Sequence, residues 1–182
     1  MTVYRVFPFD RSAAPTDLGG ALYVPPPSGF ARVDNPDLYD VLYVAEHPTA
    51  AVAEAFGRYD VWRAATFIHG SGLPYAIATY DLADGAPVFD LNDVEALKSI
   101  GVVRPTDVVT RDRTVTQAWA RAIFIGGRYA GARWWSYYNP DWPVVGLWDR
   151  TGLRLATEPE ILATTSAIVR DAAATIVRQI AP

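Results

Sequence analysis

The segment over residues 40–57 constrains the fold of this chain more than any other. Residues 41–45 form an apolar run typical of a buried strand, and Thr49 is a candidate N-cap for a helix that ends at Gly57. This helix is apolar all round, which predicts that it is buried. Glu54 interrupts the apolar pattern. Because a buried carboxylate is costly unless it is paired, Glu54 is expected to have a partner or a task.

Helical and strand patterns elsewhere predict a single α+β or mixed α/β domain over residues 1–182, with a long C-terminal helix. The predicted strands cover residues 2–9, 21–24, 75–82, 88–91, 133–138 and 144–148, and the predicted helices cover residues 93–100, 114–125 and 158–180. Residues 10–35 are rich in proline, glycine and alanine. A loop of this length is usually functional or mobile.

Composition excludes several classes of function. The 182 residues carry a net charge of −4, which argues against direct nucleic-acid binding. The chain has no cysteine, so disulfides and thiolate chemistry are excluded. Zinc would have to rely on two histidines and carboxylates, and we expect no metal. The N-terminal residues lack the pattern of a signal peptide, and no apolar run approaches the roughly 18–20 residues of a membrane span. We expect a soluble cytoplasmic protein without a membrane partner.

Three residues break their local patterns and are candidates for chemistry. Arg5 lies among large apolar residues of a strand, Glu54 lies in an apolar helix, and Ser136 lies in an aromatic cluster. Tyr43 and Arg32 are weaker candidates. Tyr43 is near the end of a strand and Glu54 is about one and a half turns into the next helix, so both side chains could line one cleft.

Structural roles are the alternative explanation of the same residues. Arg5 and Glu54 could form a buried structural ion pair. Tyr43 could be a core aromatic residue with a satisfied hydroxyl group, and Ser136 an ordinary small strand residue. The sequence pattern leaves these alternatives open.

Short segments of the chain occur in an order that resembles a known family. In chain order they are Tyr4-Arg5, Arg32 ahead of an Asn-Pro pair, Leu42-Tyr43-Val44-Ala45, Ala50-Ala51-Val52-Ala53-Glu54 and Gly131-Ala132-Arg133-Trp134-Trp135-Ser136. Together they resemble the RES domain, which is named for its Arg, Glu and Ser. The resemblance covers about residues 3–149.

This resemblance implies an α+β fold with a mixed β-sheet core, similar to that of ADP-ribosyltransferases, and an activity on NAD⁺. Many RES proteins are toxins of bacterial toxin–antitoxin pairs, with an Xre-type helix-turn-helix antitoxin as the partner. They cleave the nicotinamide–ribose bond by hydrolysis or by phosphorolysis, for which inorganic phosphate is the second substrate. Some members instead transfer ADP-ribose to a protein. A non-enzymatic interaction module, with Arg5 and Glu54 as an ion pair, is the third hypothesis.

The resemblance also implies a role for each matching residue. Arg5 and Arg32 would hold phosphates or ribose of the dinucleotide, and Tyr43 would stack near the nicotinamide. Glu54 would orient the ribose and stabilise its oxocarbenium-like carbon. Ser136 would position Glu54 or the ribose. The predicted catalytic residues are therefore Glu54, Tyr43 and Arg5.

Overall fold

A mixed β-sheet forms the centre of the protein in the computed structural model, which describes residues 1–84, 86–102 and 104–181. Gly85, Val103 and Pro182, which belong to the predicted single domain, lie outside the described residues. The strands are β1 (Thr2–Pro8), β2 (Leu42–Ala45), β3 (Val61–Trp62), β4 (Tyr75–Leu82), β5 (Val88–Asp90), β6 (Gly131–Trp135), β7 (Pro143–Leu147), β8 (Leu153–Leu155), β9 (Glu160–Ile161) and β10 (Gln179–Ile180). The helices are α1 (Pro48–Phe56), α2 (Val94–Ser99), α3 (Thr106–Val109), α4 (Arg113–Ile125) and α5 (Ala167–Thr175), with a 3₁₀ helix at Ala64–Phe67.

The strand order of the main sheet is β5-β6-β7-β2-β1-β4-β8, and β9 also pairs with β4. The pair β5–β6 is parallel, whereas β1 is antiparallel to both β2 and β4. The remaining two strands, β3 and β10, form a small parallel sheet. The predicted α+β class with a mixed sheet is therefore confirmed.

Strand β1 has both faces covered, so its alternate side chains enter two different clusters. Val3 and Phe7 belong to the cluster on one face, whereas Tyr4 and Val6 pack against the larger cluster that contains α1. Successive side chains of a strand point to opposite faces of the sheet. Arg5 therefore lies on the same face as Val3 and Phe7, opposite to α1.

Helix α1 is almost wholly buried, as its apolar sequence predicts. Residues Ala50, Val52 and Phe56 are buried in the larger cluster, and α1 packs against α5. The cap differs from the prediction at Thr49: His47 is the N-cap, and its Nδ1 accepts a hydrogen bond from the Thr49 amide at 3.2 Å. Glu54 is exposed instead of buried, because it projects into an open cleft.

The long C-terminal helix predicted over residues 158–180 is wrong in its extent. The helix is confined to α5, and the residues before and after it form β9 and β10. The Leu162 amide donates to the Tyr75 carbonyl at 2.8 Å. The segment before α5 therefore makes backbone hydrogen bonds to strand β4 and not within a helix. Val177 ends the helical region with φ 56°. The predicted strand at residues 21–24 is also absent, since this segment forms a turn and extended loop.

Gly57, which ends α1, permits a close approach of Tyr138. A Cβ at this position would lie 2.4 Å from the Tyr138 ring and 2.5 Å from the Ala53 carbonyl oxygen. Gly126, at the end of α4, has the same φ −60° and ψ −18°, but its Cβ would meet nothing closer than 3.2 Å. The two glycines therefore differ in surrounding space and not in conformation.

We expect Gly57→Ala to lower the free energy of unfolding by about 1–3 kcal/mol, because the added methyl group forces α1 and Tyr138 apart. Gly126→Ala is the matched control and should change it by less than about 1 kcal/mol. Chemical denaturation of both variants measures the difference. Equal effects of the two substitutions would contradict the close approach at Gly57.

Candidate active site

A cleft opens between α1, the strands β1, β2 and β7, and the loop that precedes β2. Its volume is about 330 Å³. Its walls include the side chains of Tyr43 from β2, Glu54 from α1 and Trp134 from β6. The lining also includes two cationic side chains, Arg32 and Arg113, and part of strand β1.

Glu54 is held in this cleft by Ser136, which follows strand β6. The Ser136 hydroxyl donates to Glu54 Oε1 at 2.5 Å and accepts a hydrogen bond from the Tyr138 amide at 3.1 Å. The Ser136 amide donates to the Trp142 carbonyl at 2.8 Å, and the residue is buried. Three hydrogen bonds thus fix Ser136, and its hydroxyl sets the position of one carboxylate oxygen of Glu54.

Burial raises the pKa of Glu54 above its ordinary value, although the side chain is exposed to the solvent of the cleft. The surrounding walls displace much of the water that would solvate the charge, which disfavours the ionised form. The Ser136 hydrogen bond, the charge of Arg32 and the Tyr137 amide act in the opposite direction and lower this pKa. A carboxylate that lies in a cleft and has a raised pKa is typical of functional sites.

Tyr43 presents its ring to the cleft, but its hydroxyl group is engaged elsewhere. The hydroxyl donates to Asp34 Oδ1 at 2.9 Å and accepts from the Val33 amide at 3.3 Å. Burial and the negative charge of Asp34 raise the pKa of Tyr43, so the phenol stays neutral. The ring stands edge-on to Trp134, with centroids 6.3 Å apart. Tyr43 can therefore supply an aromatic surface but no acid or base.

Arg32 reaches the cleft from the loop before β2. Its Nη1 donates to the carbonyl oxygens of Val108 and Thr110 at 2.8 and 2.9 Å. Burial and the neighbouring charge of Arg113 lower the pKa of Arg32 to about 10, against the influence of Glu54. Arg32 therefore remains cationic at neutral pH. Four predicted site residues (Arg32, Tyr43, Glu54 and Ser136) are thus brought together.

Arg5 is the exception among the predicted site residues. Although the cleft is bordered by this part of β1, the Arg5 guanidinium group donates to the carbonyls of Ala21 and Tyr23, at 3.1 and 2.6 Å. These contacts lie on the face of the sheet opposite to α1, among residues such as Phe7. The ion pair between Arg5 and Glu54 is not formed. The prediction that Arg5 contacts a ligand beside Glu54 conflicts with this placement, and Arg5 instead anchors the loop.

Sequence reasoning missed two residues that line the cleft, Arg113 and Tyr137, and one that supports it, Asp34. Asp34 is buried and holds the loop, since it also accepts hydrogen bonds from the Ser28 hydroxyl and the Ala31 amide. Arg113 is the first residue of α4, one position before the predicted start of that helix. Its contact with the cleft joins regions far apart in sequence, so no local pattern could have indicated it.

A carboxylate, an aromatic ring and an arginine converge in one cleft beside the mixed sheet of this α+β protein. The comparisons with known proteins place the protein in a family. The model of the RES domain family matches residues 2–169. The chain therefore belongs to the RES domain family.

The fold is also similar to a solved structure. The crystal structure of the M. tuberculosis MbcT–MbcA toxin–antitoxin complex superposes with a TM-score of 0.62 and 20% sequence identity, over 95% of this chain and 88% of that chain. At this level of identity the similarity is one of fold. Among curated proteins, none matches this sequence.

Two further observations concern the predictions that the protein has no membrane partner and no metal. Among the helices in the described ranges, none is long and apolar enough to cross a membrane. Within the same ranges, no group of three or more His, Cys, Asp or Glu side chains is placed to hold a metal ion. Independence from metal stays a prediction.

We expect Ser136→Ala to raise the pKa of Glu54 further, because the substitution removes a hydrogen bond that favours the ionised carboxylate. A ¹³C NMR titration of the Glu54 carboxyl group measures this pKa in both proteins. Ser99→Ala, which changes an exposed serine of α2, is the control and should leave the titration as it is. An unchanged Glu54 titration in Ser136→Ala would show that the hydroxyl does not stabilise the carboxylate.

Proposed function

We propose that this protein cleaves the nicotinamide–ribose bond of NAD⁺ and acts as the toxin of a bacterial toxin–antitoxin pair. The observation that carries the proposal is the Glu54 carboxylate, held by Ser136 in a cleft with a cationic wall and an aromatic wall. Membership of the RES domain family supports the same activity. The resemblance to that family implies the roles of Arg32, Tyr43, Glu54 and Ser136.

The chemistry of the cleavage suits these residue types. Nicotinamide leaves as a neutral molecule, so the reaction needs little acid catalysis. Positive charge develops at the ribose carbon as the bond breaks, and a preoriented carboxylate stabilises that charge. Glu54 supplies this carboxylate in its ionised form, and the Ser136 hydroxyl fixes its orientation.

The other lining residues suit the remaining parts of the dinucleotide, the nicotinamide ring and the phosphates. The ring of Tyr43 offers a face to the cationic nicotinamide, an interaction that aromatic rings favour. Arg32 suits a phosphate oxygen, since a guanidinium group makes charge-assisted hydrogen bonds to phosphate. The attacking group in this scheme is water, or inorganic phosphate as a second substrate. No step requires a metal or a nucleophilic side chain.

The biological role is the second part of the proposal. The M. tuberculosis complex with a similar fold is a toxin–antitoxin complex, which supports a toxin function and an antitoxin partner. The family resemblance favours an Xre-type helix-turn-helix protein as this antitoxin. Consumption of NAD⁺ would take place in the cytoplasm, where depletion of the dinucleotide arrests growth.

The purified protein should convert NAD⁺ to nicotinamide, measured by ¹H NMR with and without inorganic phosphate. Glu54→Gln should lower kcat by about 10²–10³-fold, because it removes the charge but keeps the shape of the side chain. Glu95→Gln, an exposed residue paired with Lys98, is the matched control and should keep full activity. Expression of the wild type should arrest growth, and Glu54→Gln should relieve that arrest.

The products separate the acceptors. ADP-ribose indicates hydrolysis, its 1″-phosphate indicates phosphorolysis, and transfer of label to a protein would instead favour an ADP-ribosyltransferase. NAD⁺ consumption by Glu54→Gln at the wild-type rate would contradict the role of Glu54.

A further inference from the structure

Two guanidinium groups stand side by side on one wall of the cleft. Arg113 donates from Nε to the Phe30 carbonyl at 3.0 Å and from Nη1 to the Thr110 carbonyl at 3.3 Å. Arg32 donates from Nη1 to the same Thr110 carbonyl at 2.9 Å. A single carbonyl oxygen therefore holds both cations next to each other, and both line the cavity.

This pair is electrostatically unfavourable in the protein by itself. The charge of Arg113 contributes to the lowered pKa of Arg32, which reports their mutual repulsion. In the described part of the chain, neither residue forms a salt bridge with a carboxylate. The charge of Glu54 only partly offsets this repulsion. Like charges that are held together at a cost in stability, in a chain of net charge −4, are typical of functional sites.

The hydrogen-bonding capacity of the pair is only partly used. Among the described residues, Nε and Nη2 of Arg32 and Nη2 of Arg113 donate to no protein acceptor. Several donors on two adjacent planar groups match the oxygens of a phosphate, which accepts such bonds in pairs. Hydrogen bonds to backbone carbonyls already hold both side chains in place. Less conformational entropy is therefore lost when an anion binds.

We propose that Arg113 and Arg32 together form a phosphate-binding subsite of this cleft, with Arg113 as a ligand-binding residue. The ligand is a phosphate group, carried by the pyrophosphate of the dinucleotide or present as inorganic phosphate, the second substrate of phosphorolysis. This inference rests on the proposed function. In this proposal Arg113 takes the role of the second phosphate-binding arginine, which the family resemblance implied for Arg5.

Arg111 extends the positive wall to the rim of the cleft. Its Nη2 donates to the Tyr137 hydroxyl at 3.2 Å, and its guanidinium carbon lies 5.1 Å from the centre of the Tyr137 ring. Tyr137 lines the cleft. A cationic rim raises the local concentration of an approaching anion and makes association dependent on salt.

Calorimetric titration with two probes, ADP and inorganic phosphate, tests the subsite without any turnover. Arg113→Gln should weaken at least one probe by about 10–100-fold, because it removes a charged donor from the phosphate. Arg170→Gln, which removes an exposed charge from α5, is the matched control and should bind as the wild type does. Arg113→Lys keeps the charge but loses the planar guanidinium group, so its affinity for the probes should lie between those of the wild type and Arg113→Gln.

The probe that is affected identifies the source of the phosphate group. A loss for ADP alone assigns the pair to the pyrophosphate, a loss for inorganic phosphate alone assigns it to the second substrate, and a loss for both means that the two share it. Equal binding of both probes by Arg113→Gln and the wild type would overturn the proposal, as would a wild type that binds neither. Thermal unfolding of each variant separates lost binding from lost folding.

Failure of the subsite and failure of the proposed function give different results. A wild type that binds the probes but consumes no NAD⁺ contradicts the function and keeps the subsite. A wild type that consumes NAD⁺, with unchanged KM values for NAD⁺ and phosphate in Arg113→Gln, contradicts the subsite alone.

Discussion

The hydrogen bond from Ser136 to Glu54 joins the two parts of the chain on which the cleft depends. Glu54 belongs to helix α1 and Ser136 follows strand β6, on the other side of β7 and β2. The absence of a side chain at Gly57 lets Tyr138 approach the end of α1, beside this contact. Because protein interiors are closely packed, the position of the carboxylate is set by both elements and not by the helix alone.

A second constraint fixes the cationic wall. Asp34 is buried and accepts hydrogen bonds from Tyr43, Ser28 and the Ala31 amide, so it ties the long loop to strand β2. Arg32 lies within this tied segment. A buried carboxylate with several hydrogen-bond donors holds a rigid loop, which explains how a segment rich in glycine and proline can position a guanidinium group. The hydroxyl of Tyr43 holds this loop through Asp34, whereas its ring lines the cleft.

Local sequence patterns predict the parts of the fold and site that depend on local interactions. The apolar strand and helix around Glu54 were predictable, because burial imposes apolar residues on both, and so was the unusual position of Glu54. The side of the sheet that Arg5 occupies was not predictable, since both faces of β1 are covered and alternation alone does not assign either face to α1. Residues 158–180 have an apolar period that suits a helix. The two ends of this segment instead form strands, β9 paired with β4 and β10 paired with β3. Arg113 meets Arg32 only through tertiary contacts.

A crystal structure of the Glu54→Gln variant with NAD⁺ would show where the dinucleotide binds, because the variant should bind it and cleave it only slowly. We expect the nicotinamide ribose to lie against residue 54 and Ser136, and the pyrophosphate against Arg32 and Arg113. Binding of NAD⁺ elsewhere, for example on the face of the sheet that holds Arg5, with an empty cleft, would contradict this expectation.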